Sequence, residues 1–179
     1  MLSNIKIIKE MFIENNIFFK HMLSNIKFNS EYNNFKKYKS IVIIGMGGSI
    51  LGSKAIYSFL KHKIKKKIIF LDNLDEGYLK RIKKKKILSK SLFLIISKSG
   101  NTNETVLNMY FLKNFLNSKN TIILSENKNN FLKNIAIKNK YYFADHEKLI
   151  GGRYSVLSNV GMLPAYLMNP SSLFFQLNS

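Results

Sequence analysis

The stretch Ser97-Lys98-Ser99-Gly100-Asn101-Thr102-Asn103-Glu104-Thr105 gathers hydroxyls, one cation and a glycine directly after the apolar run Leu92-Phe93-Leu94-Ile95-Ile96. Hydroxyls and backbone N–H groups at the start of a helix wrap the oxygens of a phosphate. The helix dipole adds favourable charge there, and a glycine lets the backbone come close to the anion. A capping arrangement from Asn101 to Glu104 is the purely structural alternative, and it is compatible with an anion site. A second candidate is Gly45-Met46-Gly47-Gly48-Ser49-Ile50, a glycine turn that follows Ile41 to Ile44. Ser49 is placed to cap a helix running through Ile50, Leu51, Ala55, Ile56, Phe59 and Leu60. This turn departs from the dinucleotide fingerprint, with Ile50 where a third glycine belongs, although Asp72 after the next strand mimics the ribose-binding acid. It also lacks the lysine of a P-loop, and taken alone it fits a turn without ligand equally well.

To hold these loops the chain needs strands that stop where the loops begin. Apolar runs predict strands at Ile41 to Ile44, Lys67 to Leu71, Ser91 to Ser97, Thr121 to Ser125 and Tyr141 to Asp145. Between them the pattern predicts helices after Ser49, over Asp75 to Ile87, over Thr102 to Leu116 with Val106, Leu107, Tyr110, Phe111 and Phe115 on its apolar side, and over Asn130 to Ile137. A further helix is expected over Ile5 to Leu23, with Phe28 to Lys39 as a connection into the first strand. Strands alternating with helices imply an α/β fold, a doubly wound parallel sheet of about five strands with helices on both faces. Ligands of such sheets sit beyond the carboxyl ends of the strands, where the glycine turn and the serine loop both lie.

Composition narrows the classes. A chain of 179 residues that is 46% hydrophobic supports a packed core. With no cysteine there are no disulfides and no thiolate metal sites. His21, His62 and His146 are too scattered for a metal site by spacing and read as surface or capping residues. The start of the sequence carries no secretion signal, and no apolar run approaches the length of a membrane span, so a soluble, cytoplasmic protein is expected. The net charge of +19 invites a nucleic-acid reading, with runs at Lys65 to Lys67 and Lys83 to Lys86. The lysines accompany abundant asparagine and isoleucine, however, as the codons of an AT-rich genome would produce, and no nucleic-acid motif goes with them. Neither nucleic acid nor membrane is therefore expected as a partner.

Four segments together carry a family resemblance: Gly45-Met46-Gly47-Gly48-Ser49, Phe70-Leu71-Asp72-Asn73-Leu74-Asp75, Ser97 to Thr105, and Gly151-Gly152-Arg153-Tyr154-Ser155. In order and spacing they resemble the glucose-6-phosphate isomerase family. The first and third belong to the wider sugar isomerase (SIS) fold, and the fourth is the more specific. The resemblance implies a first SIS domain over 40–179 behind an N-terminal helical segment over 1–39, with the second SIS domain and the C-terminal region absent. It also implies interconversion of glucose 6-phosphate and fructose 6-phosphate, a step of glycolysis and gluconeogenesis, through an enediolate and without a cofactor or metal.

Carried over by position, Gly48 and Ser49 would contact the sugar, Ser97, Lys98, Ser99 and Thr102 would hold its phosphate, Arg153 would face the reacting carbons as the catalytic residue, and Glu104 would support the ring-opening group. Gly100-Asn101 departs from the aromatic and threonine of many members. No carboxylate here matches the family's general base. The family assembles as dimers, so a homodimer or association with a C-terminal half is implied, and a stand-alone phosphosugar-binding module is the alternative reading.

Overall fold

Three runs without a polar interruption, Ile41 to Ile44, Leu92 to Ile96 and Ile122 to Leu124, form the middle of a sheet in which each of these side chains is essentially solvent-free. The computed structural model describes residues 30–146, 148, 150 and 152–168, with the backbone alone for 30, 31 and 152–154. The helix expected over Ile5 to Leu23 lies outside the described residues. The strands are β1 (Ser40–Ile44), β2 (Lys67–Leu71), β3 (Ser91–Ile96), β4 (Thr121–Ser125) and β5 (Tyr142–Asp145), close to the expected bounds. All pairs are parallel, in the order β2-β1-β3-β4-β5. Burial on both faces is what such uniformly apolar strands require. Each fully buried Ile or Leu contributes about 1.5–3 kcal/mol, several times what an exposed ion pair such as Lys80–Glu76 supplies.

Alternation along the strands divides the core. Ile41 and Ile43 of β1 face α1 (Gly48–Leu60) and α5 (Asn159–Met168), meeting Ile50, Val160 and Leu163. Val42 and Ile44 face α2 (Glu76–Lys83), α3 (Asn103–Phe111) and α4 (Phe131–Asn139), meeting Leu79, Ile82, Met109 and Leu132. Two expected helices are shorter than their apolar patterns. α2 stops at Lys83 and resumes as a 3-10 helix, Lys86–Lys90, which turns Leu88 fully inward. α3 stops at Phe111, and Leu112, completely buried, leads into a second 3-10 turn, Lys113–Phe115.

Two buried faces also differ from expectation. On α1, Leu51 and Phe59 are exposed, and the packed side is Ile50, Gly52, Ser53 and Leu60. Small residues are needed there: a Cβ on Gly52 would lie 3.0 Å from Val156, and one on Gly161 of α5 would collide with the Val156 carbonyl oxygen. On α3, Leu107 and Tyr110 are exposed while Thr105, Asn108 and Met109 are buried. Asn108 donates to the Asn73 carbonyl at 3.0 Å, tying α3 to the loop after β2.

At the amino edge of the sheet, the connection into β1 is part of the packed body. Ser30–Phe35 forms a 3-10 helix, Phe35 is buried against Tyr142, and Tyr38 donates to the Lys119 carbonyl at 2.8 Å. Residues 32–39 thus pack against the amino edge of the sheet. The lysine runs at 65–67 and 83–86 stand where the chain approaches β2 and β3, also at this edge. The described carboxylates, Asp72, Asp75, Glu76, Glu104, Glu126 and Asp145, follow strands at the opposite edge.

Lys66 donates to the Lys36 carbonyl at 2.8 Å, and burial, with the Lys36 charge nearby, lowers its pKa to about 8. Below pH 8 this lysine is charged in both the folded and the unfolded chain, and the cost of burying the charge is fully present. Between about 8 and its ordinary 10.5 the folded chain has released a proton that the unfolded chain keeps, so stability rises with pH. Urea unfolding of Lys66→Met and the parent chain at pH 7.5 and 9.5 should show a smaller gain for the variant.

Candidate functional site

Neighbouring strands β1 and β3 send the chain in opposite directions across the sheet, β1 toward β2 and β3 toward β4. The crevice between their carboxyl ends is the topological switch point, where open α/β sheets bind ligands. Both glycine and serine loops open there. Gly45 makes the approach possible, since a Cβ on it would stand 2.9 Å from the Ile96 carbonyl oxygen. Gly47, at φ +51°, is the N-cap of α1, and no side chain caps this helix. The capping role expected of Ser49 is not met. Ser49 lies inside the first turn, because the glycine, free to take a positive φ, starts the helix earlier. Gly48 and Ser49 are half-buried at the mouth of the crevice.

The serine loop brings three hydroxyls together. Ser97 Oγ lies 2.8 Å from Thr102 Oγ1 and 3.5 Å from Ser99 Oγ, and Ser99 Oγ lies 3.5 Å from Thr102 Oγ1. Thr102 is the N-cap of α3 yet makes no capping hydrogen bond, its hydroxyl being turned back to Ser97. α2 and α4 behave differently. Asp75 Oδ1 accepts from the Tyr78 N–H at 2.8 Å, and Asn130 Oδ1 accepts from the Lys133 N–H at 2.9 Å. The helices α1 and α3, which start at the switch point, thus lack a side-chain cap and direct their positive dipole ends into the crevice.

The start of α4 holds the serine loop from behind, and Asn130 fixes the turn that leads into it. Its amide donates to the carbonyls of Glu126 at 2.9 Å and Lys128 at 3.1 Å. The adjoining N–H groups of Phe131 and Leu132 donate to Asn101 Oδ1 at 2.9 Å and to the Gly100 carbonyl at 3.0 Å. Gly100 has φ +70°, and a Cβ there would collide with the Asn130 amide. The positive φ and the Asn130 amide both call for a glycine at this position.

The segment that contains Gly152, Arg153 and Ser155 reaches the same crevice. Gly152–Leu157 is a 3-10 helix pressed on α1 through Val156 and Gly52, and Ser155 Oγ donates to the Gly48 carbonyl at 3.4 Å. Arg153 lies in this turn, while its side chain, like all of Gly151, lies outside the described residues. Lys98 does not join the hydroxyls. Its ammonium donates to the carbonyls of Lys148 and Ile150, both at 2.9 Å, and lies 3.6 Å from Glu126 Oε1.

Glu104 is exposed in the first turn of α3. Other carboxylates at this edge are engaged. Asp72 pairs with Lys54 at 2.5 Å, which gives it a partner other than a ribose, and Asp145 accepts from the Asn127 N–H at 2.9 Å. Glu126 pairs with Lys128 at 2.5 Å, and that hydrogen bond is the largest influence holding its carboxyl below the usual range. His146, expected as a surface or capping residue, is buried, its backbone N–H donating to the Ser125 carbonyl at 2.9 Å as the chain leaves β5. His62 is exposed as expected, and His21 lies outside the described residues. Asn108, Glu126, Asn130 and His146 escape sequence reasoning. For Asn130 the cap position ahead of α4 is a usable signal.

Gly100→Ala should cost about 1–3 kcal/mol for the positive φ, plus the collision with Asn130. Asn130→Gly in the same chain should recover only the collision, which a double-mutant cycle by urea unfolding will resolve.

The family model for phosphoglucose isomerase matches residues 17–177. Glucose-6-phosphate isomerase of Methanocaldococcus jannaschii is 37% identical over 139 residues, covering 76% of this chain and 34% of the relative. That of Borreliella afzelii is 39% identical over 145 residues, covering 73% and 27%. The chain thus spans about a third or less of the length of these curated relatives. Among solved structures, a hypothetical protein from Thermus thermophilus superposes with a TM-score of 0.70 at 24% identity, over 84% of this chain and 39% of that one. The glucose-6-phosphate isomerase from Chlamydia trachomatis superposes with a TM-score of 0.64 at 24% identity, over 84% and 31%. At such identities the superpositions speak for the fold, and the fold is the parallel sheet described above. With the family match extending over most of its length, the chain belongs to the phosphoglucose isomerase family.

Proposed function

We propose that the crevice between β1 and β3 binds a hexose phosphate and forms part of a site that interconverts glucose 6-phosphate and fructose 6-phosphate. The observation that carries this reading is the hydroxyl cluster of Ser97, Ser99 and Thr102 at the start of a helix whose cap residue makes no capping bond. Those hydroxyls and the first N–H groups of α3 suit the dianionic phosphate, and the uncapped start of α1, with Gly48 and Ser49, suits the sugar hydroxyls. The reading assigns Lys98 a backbone contribution to phosphate binding, because its ammonium is engaged elsewhere. Glu104, exposed beside the phosphate loop, supports the group that opens the ring.

Arg153 takes the charge of the reaction. Moving a proton between adjacent carbons of an aldose and a ketose passes through an enediolate, whose developing negative charge needs a fixed cation. Arginine keeps its proton throughout, so it suits that task. Proton abstraction itself needs a positioned carboxylate or another base. Asp72, Glu126 and Asp145 are held by other partners, and Glu104 is given over to the ring-opening group. On this reading the base is supplied to the crevice by a second SIS domain, in the same assembly or in a partner.

Titration calorimetry with glucose 6-phosphate and with glucose should show binding of the phosphate ester alone, and Thr102→Val should weaken it by about tenfold, the loss of one charge-assisted hydrogen bond. Equal binding of both sugars, or of neither, would reject the site. In a coupled assay for fructose 6-phosphate, the 179-residue chain should turn over slower than the curated relatives by a factor of at least about a hundred, the contribution of a general base.

A further inference from the structure

We propose that the side chain of Lys98 has a positioning role: it fastens the segment leading to Arg153 onto the phosphate loop and leaves the phosphate to the backbone of that loop and to the neighbouring hydroxyls. The inference rests on the reading of that loop as a phosphosugar site and assigns its lysine a different task from its serines.

An ammonium has three donors. At Lys98 two of them go to carbonyls of one segment, Lys148 and Ile150, each at 2.9 Å. On its remaining side stands Glu126 Oε1 at 3.6 Å, a carboxylate that is buried and also paired with Lys128. Charge-assisted bonds to these two carbonyls hold residues 148 and 150 against the serine loop, and Glu126 balances the half-buried charge. The Lys98 backbone is fixed as well, its carbonyl accepting from the Glu126 N–H at 3.1 Å. Releasing this ammonium toward a phosphate would strand two carbonyls and weaken the Glu126 pairing, whereas the hydroxyls of Ser97, Ser99 and Thr102 already face one another, and Ser97 and Ser99 accept only from the Gly100 and Asn101 N–H groups of their own loop, each at 3.2 Å.

Placement gives the clamp its consequence. Residues 148 and 150 come just before Arg153, and Ser155, just after it, is held to Gly48 at 3.4 Å. Arg153 therefore sits between two pins, one anchored in the serine loop and the other in the glycine turn. A phosphate that orders the serine loop orders the Lys98 side chain and, through it, the backbone that carries the arginine.

The test compares Lys98→Met with Lys98→Arg, which keeps donors for both carbonyls, and with Lys128→Met, which removes a charge from the same cluster but no carbonyl bond. Hydrogen exchange over residues 148–155 is read beside calorimetric titration with inorganic phosphate and with glucose 6-phosphate. Lys98→Met should lose protection across 148–155 by about tenfold, while Lys98→Arg should regain most of it and Lys128→Met should keep it. Inorganic phosphate should bind Lys98→Met within about threefold of Lys128→Met, since the two share the same loss of screened surface charge. Unchanged protection in Lys98→Met, or a phosphate affinity more than about tenfold below that of Lys128→Met, overturns the proposal in favour of a direct phosphate ligand. Should Lys98→Met fail to fold, Lys98→Gln, which reaches only one carbonyl, takes its place under the same criteria. If the parent chain binds no phosphate at all, the phosphosugar reading falls, and the exchange data alone decide whether the clamp exists.

Discussion

Everything at the candidate site depends on how closely β1 and β3 can approach at their carboxyl ends. The strands register residue for residue, Ile44 opposite Ile95, and the chain then turns away at Gly45, where a Cβ would press on the Ile96 carbonyl. If that approach were blocked, the two helix starts that flank the crevice would separate. The hydrophobic sheet supplies the energy for the approach, while the glycine removes the steric obstacle to it.

Polar groups then set the finer geometry, and they do so with few bonds. The N–H groups of Phe131 and Leu132 tie the start of α4 to Asn101 and Gly100 of the serine loop, Lys98 reaches from that loop to residues 148 and 150, and Ser155 returns to the Gly48 carbonyl. These links join four stretches that are far apart in sequence. The Lys98–Ile150 and Ser155–Gly48 bonds are partly removed from water, where a hydrogen bond holds geometry better and an unmade one costs more.

Charge is distributed along the sheet axis. Lysines crowd the amino edge, where Lys66 is pushed below its ordinary range by burial and by Lys36, and the described carboxylates stand at the carboxyl edge. The site lies at the carboxyl edge, where Lys54, Lys98 and Lys128 are paired with Asp72 and Glu126, while the lysine runs at 65–67 and 83–86 stand at the opposite edge. Exposed lysines there are separated from the crevice by the length of the strands, beyond the reach of screened surface electrostatics at physiological salt.

Fold class, the order of the motifs along the chain and the location of the serine loop are legible in the sequence alone, because uninterrupted apolar runs and glycine breaks report local backbone needs directly. Gly48, Ser49, Ser97, Ser99 and Thr102 are likewise legible at one end of the sheet, since strand polarity follows from alternation with helices. Partners, by contrast, come from tertiary packing. The buried face of α3 is its Thr105 and Asn108 side, and the packed face of α1 includes Gly52 and Ser53, choices made by the neighbours each helix meets. α5 has no amphipathic signature, since Val160 through Ala165, Leu167 and Met168 are all buried and Pro164 interrupts a helical pattern. The direction of the Lys98 ammonium and the burial of His146 depend on residues distant in the chain. Local composition cannot encode those contacts, because they exist only once the sheet has brought β3, β4 and β5 side by side.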